Sequence, residues 1–254
     1  MSLRKKFADA AVAYALSLDT CSEEMQERLT FFGPLPAHVS SALADRRAYH
    51  AEYSNLGEAL LKTYQEQPVG EEPDDMPPAL YVVWHALSGD DNLAYLAITS
   101  LDEKTADAAL YAILEAFEER QLTGTPSAEV RHDMQRLIVG LASERSSSAM
   151  RLRIAREVLV YGAGEDGGTA RERVRDLLGR ETPDTEWNDA LAEASTDGHF
   201  VCYEDWQEGL AFVKAVLEFG ADDVFIRLVV RQLLHWNDDA PRESFVSLVN
   251  LIPK

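Results

Sequence analysis

Apolar residues recur along most of the chain at spacings of three and four, which place them on one face of an α-helix. In the first such stretch the apolar positions are Phe7, Ala10, Ala11, Tyr14 and Leu18. Half-buried β-strands would instead alternate apolar and polar residues between turn signals, and the sequence contains no such run. The pattern therefore predicts an all-α protein built from amphipathic helices.

Short connections rich in Gly, Pro, Asp and Ser separate the predicted helices. Ser22 is expected to cap the second helix, because its hydroxyl can accept a backbone N–H, and Glu23 and Glu24 suit the first turn. Pro34 and Pro36 cannot continue that helix. By residue number, the predicted helices are 3–18, 22–31, 37–64, 79–88, 91–100, 103–121, 127–143, 149–162, 169–179, 185–195, 204–220, 222–236 and 241–251.

Residues 66–78, with the sequence EQPVGEEPDDMPP, interrupt the helical pattern most clearly. They hold four prolines, one glycine, five acidic residues and no basic residue. Proline and glycine disfavour a continuous helix, and unbalanced charge disfavours burial. The sequence therefore predicts an acidic, proline-rich linker or loop at 66–78 between an N-terminal helical segment, 1–65, and a helical-repeat-like domain, 79–254.

Three stretches of the C-terminal part share a similar order of apolar residues. They are 153–161 followed by Val174, Leu177 and Leu178, then 227–235 followed by Phe245, Leu248 and Val249, and 109–114 followed by Val130, Met134, Leu137 and Ile138. This arrangement, over about residues 103–252, resembles HEAT-type helical repeats. The resemblance implies antiparallel helix pairs stacked as an α-α superhelix whose concave face binds a macromolecule. An irregular helical bundle is the alternative arrangement.

Charge narrows the classes of partner. The chain has 44 acidic and 24 basic residues, a formal net charge of −20, and 46% hydrophobic residues, enough for a packed core. A field of this sign attracts basic proteins and repels nucleic acid and anionic membranes. We therefore expect a protein partner and no membrane association, and we disfavour nucleic acid as a partner. A local basic face is the exception that the sequence allows, formed by Arg151, Arg153, Arg156, Arg171, Arg173 and Arg175.

The N-terminus and the cysteines bear on the compartment. Basic residues 4–6 precede an apolar stretch, as in a signal peptide, but Asp9 interrupts that stretch and no small-residue cleavage site follows. The two cysteines, Cys21 and Cys202, are far apart and have no metal-site spacing. We therefore expect free thiols, a cytoplasmic location and no cofactor.

The region from Glu181 to Glu208 combines negative charge with aromatic side chains. It contains nine acidic residues and no Lys or Arg, whereas the preceding residues 151–180 hold seven arginines. Aromatic anchors with a charged rim are typical of protein interfaces, although the aromatic residues would also suit a helical core. The residues predicted to bind a partner are Trp187, Glu186, Glu193, Tyr203, Glu204 and Trp206.

These features favour a protein-binding module whose acidic face docks a basic protein. A bacterial immunity or inhibitor-type protein directed against a basic toxin, such as a nuclease, would have this charge and no catalytic motif. A structural scaffold or oligomerisation protein without a small-molecule site is one alternative. The sequence favours a non-enzymatic role without deciding the matter.

The adjacent residues His132 and Asp133 suggest an enzymatic alternative. All-helical phosphohydrolases of the HD type use such a pair as metal ligands, together with a further histidine, for which His85 is the candidate, and an aspartate, Asp197 or Asp205. The metal site of this alternative is His85, His132 and Asp133. The pair formed by Glu129 and His132 is also half of a di-iron motif, but the sequence supplies no second half.

A glycine-rich stretch, GAGEDG at 162–167, has the spacing of a dinucleotide-binding loop. That loop follows a β-strand, whereas the residues before it, from Ala149 to Tyr161, continue a helical pattern and include several arginines. We interpret Gly162 as the end of a helix followed by a turn.

Overall fold

A computed structural model of the protein describes residues 1–18, 21–67, 75–123, 128–161, 174, 177–178, 206–218, 223–234 and 242–254. Within these ranges the chain forms eleven α-helices and no β-strand. The prediction of an all-α protein is confirmed. None of the helices in this part of the chain has both the length and the apolar character needed to cross a lipid bilayer.

The helix bounds follow the apolar pattern closely. The helices are α1 Leu3–Ser17, α2 Glu23–Phe32, α3 Ala37–Gln65, α4 Pro78–Ser88, α5 Asp91–Ile98, α6 Glu103–Thr123, α7 Ala128–Glu144, α8 Ser148–Tyr161, α9 Trp206–Glu218, α10 Asp223–Leu234 and α11 Arg242–Asn250. Each bound that is flanked by described residues lies within a residue or two of its prediction. The helix predicted at 185–195 lies outside the described residues, as does most of the one predicted at 169–179.

Local capping explains several helix ends. The Ser22 hydroxyl accepts a hydrogen bond from the Met25 backbone N–H at 3.1 Å, which confirms the predicted cap of α2. Gly89 ends α4 with a φ of 86°, in the left-handed region that glycine adopts without a steric penalty. The Asp90 carboxylate then accepts from the Leu93 N–H at 3.4 Å and begins α5. Side-chain and glycine caps therefore set the short turn between α4 and α5.

The chain divides into two compact units, residues 1–47 with 196–254, and residues 48–195. The boundary near Arg47 falls inside α3. Residues 68–74 lie outside the described part of the chain, so the predicted linker or loop at 66–78 stays a prediction.

In the first unit, helices from the two ends of the chain pack together. Helix α1 contacts α2 and α10, and α11 contacts α2 and α9. The Phe245 ring of α11 lies edge-to-face against Phe31, with 5.6 Å between ring centroids, and against Phe32 at 6.3 Å. Contact between α1 and α10 is not the nearest-neighbour packing of a repeat array. The HEAT-like resemblance stays a prediction, because much of the copy at 153–178 lies outside the described residues.

Arg28 is a buried cation of this unit, 8% exposed. Its guanidinium donates to the carbonyl oxygen of Leu234 at 3.1 Å and pairs with Glu24 on the same helix. Leu234 is the last described residue of α10. Arg28 therefore joins α2 to α10 through a buried hydrogen bond.

The substitution Arg28→Met should lower the free energy of unfolding by about 1.5 kcal/mol, because it keeps the aliphatic stem and removes a charged donor from a buried carbonyl. Urea unfolding would measure the change. Arg47→Met is the control, since Arg47 reaches the exposed Glu23 only at 3.9 Å, and its loss should stay below about 0.5 kcal/mol. Equal losses in both variants would contradict the assigned role of Arg28.

The second unit has its own apolar core. Helix α4 packs against α5 and α6, and α7 packs against α5, α6 and α8. Residues that are fully buried in this core include Val82, Val83, Ala94, Ile98, Ile113, Leu141 and Ile154. The residues of α3 after Arg47 join the same core through Tyr53, Leu60 and Leu61. Side-chain contacts also join α6 to α3, through Tyr111 and Tyr53, and α6 to α8, through Glu115 and Arg153.

Candidate functional site

Most of the predicted partner-binding residues lie outside the part of the chain that the structure describes. This holds for Glu186, Trp187, Glu193, Tyr203 and Glu204. Trp206 is the first residue of α9, but its side chain is not among those described. The predicted interface between 181 and 208 therefore stays a prediction.

The candidate metal ligands occupy different surroundings. His85 is buried in α4, 5% exposed, with its ring centroid 4.1 Å from that of Tyr81. Asp133 is an exposed residue of α7, 3.6 Å from Arg136. His132 also belongs to α7, but its side chain is not described. Among the described residues, no group of three or more His, Cys, Asp or Glu side chains could hold a metal ion.

The glycine-rich stretch at 162–167 lies outside the described residues, but the chain before it is described. Residues Val158 to Tyr161, the last described before the glycines, belong to α8. The glycines therefore follow a helix, as the apolar pattern predicted, and the strand that a dinucleotide-binding loop requires is not there.

In the second unit, aromatic side chains from two helices meet an arginine from a third. We call Tyr49, His50 and Tyr53 of α3, Tyr111 of α6 and Arg153 of α8 the tyrosine–arginine face. Ring centroids are 5.5 Å apart for Tyr49 and Tyr53, 5.0 Å for His50 and Tyr53, and 6.0 Å for Tyr53 and Tyr111. Tyr49 and His50 are half-buried, whereas Tyr53 is buried. The face is therefore a continuous aromatic patch that begins in the core and reaches the surface.

Arg153 is held in this face by two contacts. Its guanidinium lies 4.8 Å from the Tyr111 ring centroid and 3.1 Å from a carboxylate oxygen of Glu115. A planar cation over an aromatic ring is attracted to the negative face of the ring. Arg151, another arginine of the suggested basic face, donates to the Ser146 hydroxyl at 3.1 Å. Arg151 and Arg153 are therefore engaged with other side chains of this unit.

Asp107 lies beneath the face and is fully buried. Its carboxylate accepts from the Tyr49 hydroxyl at 2.8 Å and from the Ser147 backbone N–H at 3.0 Å. Ser147 immediately precedes α8, and its hydroxyl accepts from the Met150 N–H at 3.2 Å. One carboxylate of α6 therefore fixes both the Tyr49 ring and the beginning of α8.

Burial controls the ionisation of this network. It raises the pKa of Asp107, although hydrogen bonds from Ser147 and Tyr49 oppose the shift. Burial likewise raises the pKa of Tyr49, and the hydrogen bond to Asp107 and its charge add to the effect. For Tyr111, burial and then the charge of Glu115 raise the pKa, and Arg153 lowers it. Tyr49 and Tyr111 are therefore neutral near neutral pH, and the Tyr49 hydroxyl donates to Asp107.

The substitution Asp107→Asn should change how stability depends on pH. The folded chain holds a proton on Asp107 more tightly than the unfolded chain, whose aspartate pKa is about 4. As the pH rises from the unfolded-state pKa to the raised folded-state pKa, the free energy of unfolding of the native protein should therefore fall relative to that of the Asn variant. Above the folded-state pKa the difference between the two proteins should stay constant. Urea unfolding of both proteins at several pH values measures this difference. A native protein that gains relative stability as the pH rises would show that the hydrogen bonds outweigh burial.

Acidic side chains surround the face. Glu52, Glu58 and Glu103 are exposed, and Lys104 pairs with Glu52 at 2.8 Å. The pKa of Tyr111 is raised by burial and Glu115, and to a smaller extent by Glu58. The pKa of Tyr49 is raised by burial and Asp107, and to a smaller extent by Glu103. These glutamates, together with Glu115, outnumber Lys104 and Arg153, the two cations that pair with members of this group. The surroundings of the face therefore carry a net negative charge.

Comparison with other proteins adds no family to this geometry. No protein-family model, curated protein or solved structure shows significant similarity to the chain.

Proposed function

We propose that this chain is a protein-binding module whose acidic face docks a basic protein partner, in the manner of a bacterial immunity or inhibitor protein. The observation that carries the proposal is the uneven distribution of a net charge of −20. The nine acidic residues between Glu181 and Glu208 are accompanied by Trp187, Tyr203 and Trp206 and by no Lys or Arg. Such a region steers a basic partner and supplies aromatic anchors once it arrives.

The described residues support the same chemistry. In the second unit the tyrosine–arginine face combines edge-to-face aromatic rings and an arginine, which protein interfaces favour, with exposed glutamates that can attract a basic partner. The buried polar groups beneath the face, Asp107 and Ser147, bond to each other and join α6 to the start of α8. Their role is structural, which is compatible with a surface that binds a partner.

We place the protein in the cytoplasm as part of the same proposal. Cys21, which lies within the described residues, is buried and carries a free thiol. Burial raises the pKa of this thiol, against the lowering effect of the Arg47 charge. A protonated thiol reacts slowly, and free thiols persist in a reducing compartment.

The test is capture of partners from a native lysate, with the retained proteins identified by mass spectrometry. The interface variant carries Glu186→Gln, Glu193→Gln and Glu204→Gln. The control variant carries Glu23→Gln, Glu218→Gln and Glu243→Gln, which changes the net charge by the same amount at exposed residues. We expect the native protein and the control to retain one basic protein at low salt and to release it at high salt.

The interface variant should retain that protein about tenfold less than the control does. Retention of no basic protein by the native chain would contradict the proposed function. Equal retention by both variants would show that the region from 181 to 208 is not the contact.

A further inference from the structure

The tyrosine–arginine face has the composition of a contact surface rather than of a sealed core. Tyr49 and His50 are half-buried on α3, and Leu56, which follows Tyr49 by seven residues and Tyr53 by three, is 38% exposed. Residues at these spacings share one side of a helix. Tyrosine and arginine dominate the binding energy of many protein interfaces. On α3, Tyr49 and His50 are therefore partly accessible and Leu56 is exposed, whereas Tyr53 is buried.

The face already binds one guanidinium group, its own. Arg153 lies over the Tyr111 ring at 4.8 Å and bonds to Glu115 at 3.1 Å. A guanidinium is planar, stacks on aromatic rings and donates to carboxylates in a fixed geometry, whereas a lysine ammonium is a compact, strongly hydrated charge. Glu52 follows Tyr49 by three residues, which places this exposed carboxylate on the same side of α3 as the half-buried Tyr49 ring.

The charge around the face selects the sign of its occupant. Three exposed glutamates, Glu52, Glu58 and Glu103, lie around the face. Lys104 is a nearby cation, and it is paired with Glu52. A positively charged segment is attracted to this surface, and an acidic peptide or a nucleic acid is repelled.

We propose that the tyrosine–arginine face is a docking surface for an arginine-bearing basic segment of a partner protein. The partner's guanidinium groups stack on the rings of Tyr49 and His50 and bond to the carboxylates of Glu52, Glu58 and Glu103. The inference rests on the proposed function, since the occupant belongs to a basic protein. It adds a contact in α3, α6 and α8 to the one predicted between 181 and 208.

The test uses two fluorescently labelled peptides, one of nine arginines and one of nine lysines, titrated with the purified full-length protein at low salt. The face variant carries Glu52→Gln, Glu58→Gln and Glu103→Gln, all at exposed positions. Its control is the variant with Glu23→Gln, Glu218→Gln and Glu243→Gln, whose substitutions fall in the first unit. A third variant, His50→Ala, removes a ring of the face without changing a carboxylate.

The native protein should bind the arginine peptide about threefold more tightly than the lysine peptide, because only guanidinium stacks well on the rings. The face variant should bind the arginine peptide about tenfold more weakly than the control variant does. His50→Ala should reduce the preference for arginine over lysine while it leaves lysine-peptide binding within about a factor of two.

Three outcomes would overturn the inference. The first is equal weakening of arginine-peptide binding in the face variant and the control variant. The second is equal affinity of the native protein for the arginine and lysine peptides. The third is self-association of the native protein that the face variant abolishes. The last would identify a second copy of this chain as the occupant. Loss of peptide binding only in the Glu186, Glu193 and Glu204 variant would remove this inference and leave the proposed function standing. If the peptide affinities are as expected but the native protein captures no basic protein from the lysate, only the proposed function would be contradicted.

Discussion

Replacement of Asp107 by alanine is expected to lower the free energy of unfolding by about 3 kcal/mol, measured by urea unfolding at neutral pH. The carboxylate is fully buried and accepts from Tyr49 at 2.8 Å and from the Ser147 N–H at 3.0 Å. Alanine would leave both donors without this acceptor and would open a small cavity. The start of α8 and the Tyr49 ring would lose their common anchor.

Asp102→Ala is the matched control for this prediction. Asp102 is an exposed aspartate that precedes the same helix, α6, and accepts from the Thr105 N–H at 2.9 Å. Loss of an exposed cap should lower the free energy of unfolding by about 1 kcal/mol. An Asp107→Ala variant no less stable than Asp102→Ala would mean that the buried network contributes little.

The second large effect is expected for Gly57→Ala, in the middle of α3. Alanine is normally favoured over glycine inside a helix by about 1 kcal/mol. Here, however, an added Cβ would lie 2.6 Å from Cδ1 of Tyr111 and 2.7 Å from the carbonyl oxygen of Ala108. The backbone of α6 cannot yield without moving the helix, so we expect a net loss of about 2 kcal/mol in the free energy of unfolding.

Gly140→Ala, in α7, provides the control. An added Cβ there would meet the hydroxyl end of Tyr95, which is half-buried on α5 and can turn aside. The gain in helix propensity should offset much of this rearrangement, and the change should stay below about 1 kcal/mol. The same urea measurement applies to both variants. A larger loss for Gly140→Ala than for Gly57→Ala would contradict the close approach of α3 and α6.

Helix positions could be predicted from the sequence because they depend on local information. Apolar spacing, the Ser22 cap and the prolines at 34 and 36 are all properties of neighbouring residues. The contact between α1 and α10 could not be predicted in the same way, since any two apolar helix faces can pack together. The compact units likewise depend on contacts between residues far apart in sequence.

The tyrosine–arginine face could not be found from spacing alone. Tyr49 and Tyr53 are four residues apart, and this spacing is the same for rings that fill a core and rings that reach the surface. The sequence also does not distinguish Asp107, which is buried, from Asp102, which is exposed, because burial is decided by the helices that pack around a residue. A lone acidic residue among alanines and leucines, in the run TADAALY, is the one local sign that Asp107 lies on an apolar face.

The predicted partner-binding region from 181 to 208 is known mainly from the sequence. Glu186, Trp187, Glu193, Tyr203 and Glu204 lie outside the described residues, and their role rests on charge and composition. Arg153 illustrates what the structure adds. Sequence alone placed it in a possible basic face, and its contacts with Glu115 and Tyr111 assign it to a mixed aromatic and acidic surface.

The most direct test of the central claim is the affinity for the purified basic partner, measured by calorimetry at several salt concentrations. If acidic residues steer and hold that partner, the dissociation constant of the native protein should rise about tenfold or more between about 50 and 300 mM salt. The Glu186, Glu193 and Glu204 variant should bind more weakly at low salt and show a shallower dependence on salt. An affinity that does not change with salt, or an equal dependence in both proteins, would contradict the claim.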